Sequence, residues 1–443
     1  VSVLFTQFSS KVARVKTEML YPNFWINNSN TSKRIIICDD EIKRYNERSM
    51  KYSIIEDIFL LQNFLGGQEL RNLILSVSKP HSTIRYKNGL ILEKEYFLKL
   101  SKNLNLEAIK EKNLLRYGMV TRRSHIKSYP TDDRIFKNPK DYDLDRLMET
   151  AINICDPCVI LHESKDKEWY FIKTYGYKGW IKREDIAIGE KEPILKYTKA
   201  KEFLVVTGRR IHTGYNPFDE SISMIPIDMG VKLSLVKEEE ILETIYDMYP
   251  CGSYVVWFPT RSYDGSLKFT QILISRSEDV CYGYLPYTEE NIIRQSFKCL
   301  GERYGWGGEF FGRDCSSLVV DVFKTMGLML PRNSSQQEKK AIGITKCIEN
   351  MTIEEKKKVL DTMTPGCLMY LDGHVVIYLG KYYDEYFIIH DTIGFYISRI
   401  CSEKKGDLYY ISAKGVAVTP LTLIYTSDGE NYLRAIKTIK IFG

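Results

Sequence analysis

The feature that most constrains this chain is a change of texture along its length. From about residue 120 to 290, short β-type runs follow one another at close spacing. Residues 158–162, 168–173 and 178–182 read as strands, separated by Lys-Asp and Tyr-Gly turn signals. The same grammar returns at 202–207, 231–235, 254–257, 271–274 and 282–285. Two successive small barrels fit these ~170 residues better than one large one. The first 120 residues read as mixed and largely helical, with helices expected over 41–48, 55–65 and 103–116. His81, beside Pro80, reads as a loop residue at the surface. After residue 288 a helix over 289–300, a glycine-rich turn and a second helix precede strands at 367–371, 374–379 and 386–390. Helices followed by an antiparallel sheet define an α+β domain. The expected architecture is therefore multidomain: a mostly helical N-terminal domain, two small all-β barrels and a C-terminal α+β domain.

At 443 residues the chain exceeds what one ordinary core organises. Its 44% hydrophobic and 27% charged content is that of a soluble globular protein. No run approaches the ~20 apolar residues of a membrane-spanning helix. The opening Val-Ser-Val-Leu-Phe-Thr-Gln-Phe lacks the basic and apolar regions of an export signal. It also lacks Met, which is consistent with a signal already removed, and the compartment stays open. A net charge of +6, with Lys and Arg spread among Asp and Glu, argues against a dedicated nucleic-acid site.

Ten cysteines raise disulfide and metal readings. Cys38, Cys251, Cys281, Cys299, Cys347, Cys367 and Cys401 are solitary, mostly in apolar runs, and read as small buried hydrophobes. Cys155 and Cys158 form a C-x-x-C without a second pair at zinc-site spacing, so a structural or incidental pair is expected rather than zinc or redox chemistry. No metal and no cofactor is expected.

Cys315 differs. In Asp314-Cys-Ser-Ser-Leu-Val-Val-Asp-Val-Phe-Lys-Thr-Met-Gly327, residues Leu318, Val319, Val322, Phe323 and Met326 form one apolar helical stripe. Gly327 suits the C-terminal stop, and Asp314 is an N-cap candidate that puts Cys315 in the first turn. There the helix dipole favours thiolate, and unpaired N–H groups are placed to stabilise an oxyanion. A cysteine nucleophile needs a base. Of six histidines, His374 and His390 lie in the same domain, on successive strands. A hairpin of those strands would let one imidazole face the sulfur while the other fixes its tautomer. Alone, a cysteine at a helix start is usually structural and a histidine in a turn is usually at the surface. Their joint occurrence in one domain is what singles them out. The cluster Gly305-x-Gly307-Gly308 lacks a following G-K-[ST], which argues against a phosphate loop.

The blocks Tyr304-Gly-Trp-Gly-Gly, Asp314-Cys-Ser-Ser-Leu-Val, Leu330-Pro-Arg-Asn-Ser-Ser-Gln-Gln, Pro365-Gly-Cys-Leu and His374-Val-Val-Ile-Tyr-Leu-Gly together resemble the NlpC/P60 cysteine peptidases. Upstream, Leu161-His-Glu-Ser-Lys-Asp-Lys-Glu-Trp-Tyr and Tyr177-Lys-Gly-Trp-Ile resemble a first bacterial SH3 (SH3b) domain. Phe203-Leu-Val-Val-Thr-Gly and Gly283-Tyr-Leu-Pro-Tyr-Thr resemble a second. Pro22-Asn-Phe-Trp-Ile and Glu41-Ile-Lys-Arg-Tyr-Asn are similar to the stabilising N-terminal domain of such proteins. The resemblance divides the chain into 1–120, 121–200, 201–287 and 288–443.

What it implies is a papain-like hydrolase of murein stem peptides, cutting between γ-D-glutamyl and a diamino acid, either diaminopimelate or lysine. It makes Cys315 the nucleophile, His374 the general base and His390 the orienting third residue. It assigns Asp314, Tyr304 and Ser334 to holding a free N-terminal L-alanine, where an ammonium needs a carboxylate partner. It also implies an acidic contact from the first SH3b domain, for which Glu163 is the nearest motif candidate. Peptidoglycan stem peptides are the implied partner, and the cell envelope, secretion or cytoplasmic recycling the implied settings. An amidase acting between muramic acid and L-alanine and an inert wall-binding scaffold are the alternatives. Ser317 and Cys367 depart from the common Asp-Cys-Ser-Gly and Pro-Gly-Asp-Leu patterns.

Overall fold

The computed structural model describes residues 10, 12–29, 31–80, 83–339, 343–398 and 408–442. His81, Cys401 and the opening stretch 1–8 lie outside the described residues. The chain divides into two units, one formed by Val1–Ile54, Leu285–Gly305 and Phe310–Gly443, the other by Ile55–Tyr284 with Trp306–Glu309. Among the described residues no helix is long and apolar enough to cross a membrane.

The first unit is built on six strands: β1 (Ile344–Cys347), β2 (Leu368–Leu371), β3 (His374–Tyr382), β4 (Glu385–Thr392), β5 (Gly415–Pro420) and β6 (Thr438–Ile441). They form one antiparallel sheet in the order β1-β6-β2-β3-β4-β5. All eight residues of β4 are buried, because both faces of the sheet are covered. Its helices are α1 (Pro22–Asn27), α2 (Asp39–Lys51), α3 (Glu289–Lys298) and α4 (Cys315–Lys324), among shorter ones. On one face lies α4, which packs on β3 and β4 through the buried stripe Leu318, Val319, Val322 and Phe323. On the other, Val376, Tyr378, Tyr386 and Ile388 join Phe395, Leu421 and Tyr432 in a separate core.

The N-terminal helices belong to this unit. Pro22 opens α1, where its missing N–H costs no helical bond. The α1 helix packs on α3, and the hydroxyls of Ser29 and Thr31 donate to the Glu289 carboxylate at 2.6 and 2.9 Å. Asn46 on α2 donates to the Gly327 carbonyl at 2.8 Å and accepts from the Met329 amide at 2.9 Å. The loop after α4 is thereby fixed.

The second unit holds a seven-stranded antiparallel sheet made of strands between Arg116 and Gly189, including Pro157–Glu163, Trp169–Lys173 and Lys178–Lys182. Phe203–Val206 pairs with Lys232–Ser234 and Val280–Tyr282, and Ser253–Arg261 forms a hairpin with Leu267–Ser275. The last expected strand of this region, 282–285, is corrected: the strand is Val280–Tyr282, and Gly283 turns the chain at φ +70° just after it.

Two expected helices are corrected. Over 55–65 there is one 3-10 turn, Ile58–Leu60, capped by Asp57, and then a short strand, Phe64–Gly66, paired with Lys112–Leu114. The helix lies just beyond, at Gly67–Val77. A Cβ on Gly67 would sit 2.3 Å from the Lys110 carbonyl, so this crossing requires glycine. The helix expected over 103–116 lies instead at Lys94–Asn103, and Asn105 in the left-handed region (φ 55°) turns the chain away from it. The cysteine reading also needs correction. Cys299, Cys367, Cys155 and Cys158 are buried, but Cys38, Cys251 and Cys347 are exposed and Cys281 is half-buried. Cys38 is a helix N-cap, Cys251 follows Pro250 in a turn, and Cys347 ends an edge strand.

Candidate active site

Asp314 caps α4. Its Oδ1 accepts the Ser317 amide at 3.0 Å, and Ser317 Oγ returns a bond from the Asp314 amide at 2.8 Å. This reciprocal box fixes where the helix begins and holds Cys315 in its first turn. His374 follows the Asp372-Gly373 turn, where Gly373 takes φ +68°, and pairs across to Leu371. The β3–β4 ladder then brings His390 beside it, with His374 Nε2 2.9 Å from His390 Nδ1. Beyond it, His390 Nε2 lies 3.0 Å from Thr419 Oγ1 on β5. Tyr432 packs edge-on against both imidazoles, and Phe395 stacks on His390. The Val375 amide, next to His374 on β3, acts on the Cys315 sulfur.

Electrostatics keep the cysteine and histidine groups neutral at rest. Burial pushes the Cys315 thiol up to about 12, and the Asp314 carboxylate adds to this against the Val375 amide and Arg332. The helix dipole was expected to favour thiolate; the dry surroundings and the neighbouring carboxyl outweigh it. Burial likewise lowers His374 to about 4, opposed by Asp314, and holds His390 well below the usual histidine range. Burial alone would raise the Asp314 carboxyl. Arg332, whose Nη2 donates to Asp314 Oδ2 at 2.6 Å, and the cap bonds carry it below its ordinary value instead.

The structure gathers the sequence-predicted residues unevenly. Cys315, Asp314, His374 and His390 come together around the start of α4 and the ends of β3 and β4. Tyr304 is nearly buried, and its phenol is raised by burial and then by Asp314 and Cys315. Ser334 opens a short helix, Ser334–Gln337, two residues past Arg332, and shares no hydrogen bond with the others. Glu163, in the second unit, pairs with Arg183 at 3.0 Å.

Several residues of the site escaped the sequence reading. Arg332 stands in the Leu330-Pro-Arg-Asn stretch, where its carboxylate partner gives no local signal; its Nη1 also donates to Ser316 Oγ at 2.8 Å. Arg313 donates to Glu302 at 2.6 Å and to Asp321 at 2.7 Å. Asp391 is completely buried, and neither carboxyl oxygen reaches a partner at hydrogen-bond geometry. Burial, Asp314 and Glu302 raise it well above the carboxylate range, with Arg313 and the Thr392 amide pulling the other way. Thr419 carried no signal in sequence.

A helix presenting a cysteine against a histidine-bearing antiparallel sheet is the frame of a cysteine peptidase, and the comparisons agree. Residues 301–417 match the NlpC/P60 family and residues 134–182 match an SH3 domain of the SH3b1 type. The chain thus carries an NlpC/P60 domain and an SH3b domain, and is a hydrolase of the cysteine endopeptidase type. One SH3b domain is matched where two were expected. Among relatives, dipeptidyl-peptidase 6 of Lysinibacillus sphaericus is 22% identical over 236 residues, 52% of this chain and 76% of that protein. Gamma-D-glutamyl-L-lysine dipeptidyl-peptidase of Bacillus subtilis (strain 168) is 31% identical over 124 residues, 26% of this chain and 37% of that protein. In fold, the chain is similar to a solved NlpC/P60 endopeptidase from Photobacterium damselae subsp. piscicida. That similarity has a TM-score of 0.73 at 19% identity and covers 95% of this chain and 96% of that one.

Proposed function

We propose that this protein hydrolyses murein stem peptides at the bond between γ-D-glutamyl and the following diamino acid. In this reading Cys315 is the nucleophile, His374 its base and His390 the residue that orients His374. The observation that carries it is the 2.9 Å contact between His374 Nε2 and His390 Nδ1, beside the strand amide that acts on the Cys315 sulfur. With Nε2 committed to His390, Nδ1 is the nitrogen left for the thiol.

The resting pair is neutral, so proton transfer accompanies attack. The thiol proton passes to His374 Nδ1 as sulfur bonds to the substrate carbonyl carbon. The first-turn amides of α4 offer hydrogen bonds to the oxyanion. The imidazolium then protonates the leaving amine of the diamino acid, and a thioester remains. Water, deprotonated by His374, completes hydrolysis and regenerates the thiol.

Asp314, Tyr304 and Ser334 hold the free N-terminal L-alanine in this reading. Asp314 already caps α4 and binds Arg332, yet each carboxylate oxygen has more than one acceptor direction. Two Bacillus relatives named gamma-D-glutamyl-L-lysine dipeptidyl-peptidase support the choice of bond. We read 1–120 as a stabilising N-terminal domain, 121–200 and 201–287 as two SH3b domains, and 288–443 as the catalytic domain. The strand sets at 203–206, 232–234 and 280–282 support the second barrel. The cell envelope or secretion is the setting that suits such a substrate.

The test is a mass-spectrometric digest of L-Ala-γ-D-Glu-diamino acid tripeptides, free and N-acetylated. Release of L-Ala-γ-D-Glu, faster from the free peptide, is expected. Equal cleavage of both forms would rule out recognition of the amine. Release of the whole stem peptide from muramic acid instead would make the protein an amidase.

A further inference from the structure

The second nitrogen of His390 sets a constraint on the whole relay, and this inference rests on the Cys315–His374–His390 reading above. His390 opposes Ala417 across the β4–β5 ladder, and Thr419 lies two residues further on the same face of β5. Both His390 and Thr419 are fully or almost fully buried. Thr419 Oγ1 lies 3.0 Å from Nε2, while Phe395 and Tyr432 wall the ring.

Counting protons settles the direction of each bond. A neutral imidazole carries a single N–H. For His374 Nδ1 to accept the thiol proton, the proton of His374 must reside on Nε2 and be donated to His390 Nδ1. That nitrogen must then be bare, so the proton of His390 resides on Nε2 and requires an acceptor. We propose that Thr419 is a positioning residue whose hydroxyl oxygen accepts the His390 Nε2–H bond and so fixes the tautomers of both histidines. The reverse arrangement, with the threonine donating, would move each proton one nitrogen along. His374 would then present an N–H to the sulfur and could not act as a base. The same tautomer serves the next step. When His374 becomes imidazolium, the bare His390 Nδ1 is already in place to accept its Nε2–H.

The experiment uses the full chain with selectively 15N-labelled histidine, read by the ring nitrogen shifts of His374 and His390, together with tripeptide kinetics. In the wild-type protein both rings should carry their proton on Nε2. Thr419→Val keeps the shape but removes the acceptor. It should abolish the Nε2–H preference at His390 and lower kcat by about ten- to a hundredfold, with KM within about twofold. Thr419→Ser should restore tautomer and kcat to within about threefold of wild type. A wild-type His390 protonated on Nδ1, or a Thr419→Val protein with unchanged tautomers and kcat, would overturn the proposal. If the valine variant does not fold, the wild-type spectrum and the serine variant still decide it. A Cys315→Ala arm separates the two claims. Turnover surviving there defeats the assignment of the nucleophile, whereas the tautomers test Thr419 independently of turnover.

Discussion

Both units bury charge, and they treat it differently. In the second unit Asp228 accepts from Arg123 at 2.6 Å and from Arg210 at 2.5 Å. Arg134 pairs with Glu309 at 2.8 Å. Asp145 lies 3.4 Å from the Lys127 ammonium and accepts the Ile135 and Leu147 amides, each at 3.0 Å. These pairs pin segments of chain, although Asp145 Oδ2 has that ion pair and no hydrogen bond, and burial lowers His125 to about 4 here as well. The first unit pairs Arg313 and Arg332 in the same way, but among the described residues neither oxygen of buried Asp391 finds a partner at hydrogen-bond geometry, and two imidazoles stay neutral. Shifted groups occur in both units; what sets the first apart is that two lowered histidines meet each other in the same unit as Cys315.

The largest effect expected from breaking this contrast is at the base. His374→Ala should lower kcat/KM about a hundred- to ten-thousandfold with an unchanged melting curve, as steady-state kinetics beside calorimetry would show. Next is a pair in the second unit. Asp228→Ala removes the carboxylate shared by Arg123 and Arg210 and should cost about 3–5 kcal/mol in urea unfolding. A loss below about 1 kcal/mol there would remove the scaffold half of the comparison.

Asp391 should give a smaller effect of opposite sign. Its folded pKa is raised, so the folded state keeps a proton that the unfolded chain releases near pH 4; stability therefore falls as pH rises from there. Asp391→Asn removes that loss and should melt a few degrees higher at pH 8, with the gain vanishing near pH 4. The histidines act in the other direction. Their folded pKa values are lowered, so stability falls as pH drops from about 6.5 toward 4. The smallest effect is in the rate profile. With His374 near 4 and the Cys315 thiol near 12, kcat/KM for an N-acetylated peptide should be level from pH 6 to 9. The free tripeptide should lose rate near pH 8, where its ammonium deprotonates. An acid limb centred at 6.5 in both substrates would contradict the lowered histidine.

Much of the site was legible because its signals are local. Asp314 before an apolar stripe is an N-cap signature, and the helix begins where that signature puts it. The strands at His374 and Tyr386 are dense in β-branched and aromatic residues, and they pair as a hairpin. The misread stretch 55–65 has enough apolar residues for a helix, but Asp57 caps a short turn, and the strand 64–66 and the crossing at Gly67 depend on partners far along the chain, 112–114 and Lys110. Arg332, Asp391 and Thr419 were out of reach for the same reason. Each matters through a group on another element: Arg332 through the carboxylate of Asp314, Asp391 through the charges of Asp314 and Glu302, and Thr419 through the far nitrogen of His390. Burial also reversed the inference drawn from the helix dipole at Cys315.

The central claim is that the Cys315 thiol attacks the γ-D-glutamyl carbonyl. Its most direct measurement is release of L-Ala-γ-D-Glu from the free tripeptide by Cys315→Ala beside wild type, with matched melting curves. We expect no detectable dipeptide from the variant and steady release from the wild type. Release at the wild-type rate by a folded Cys315→Ala protein would contradict it.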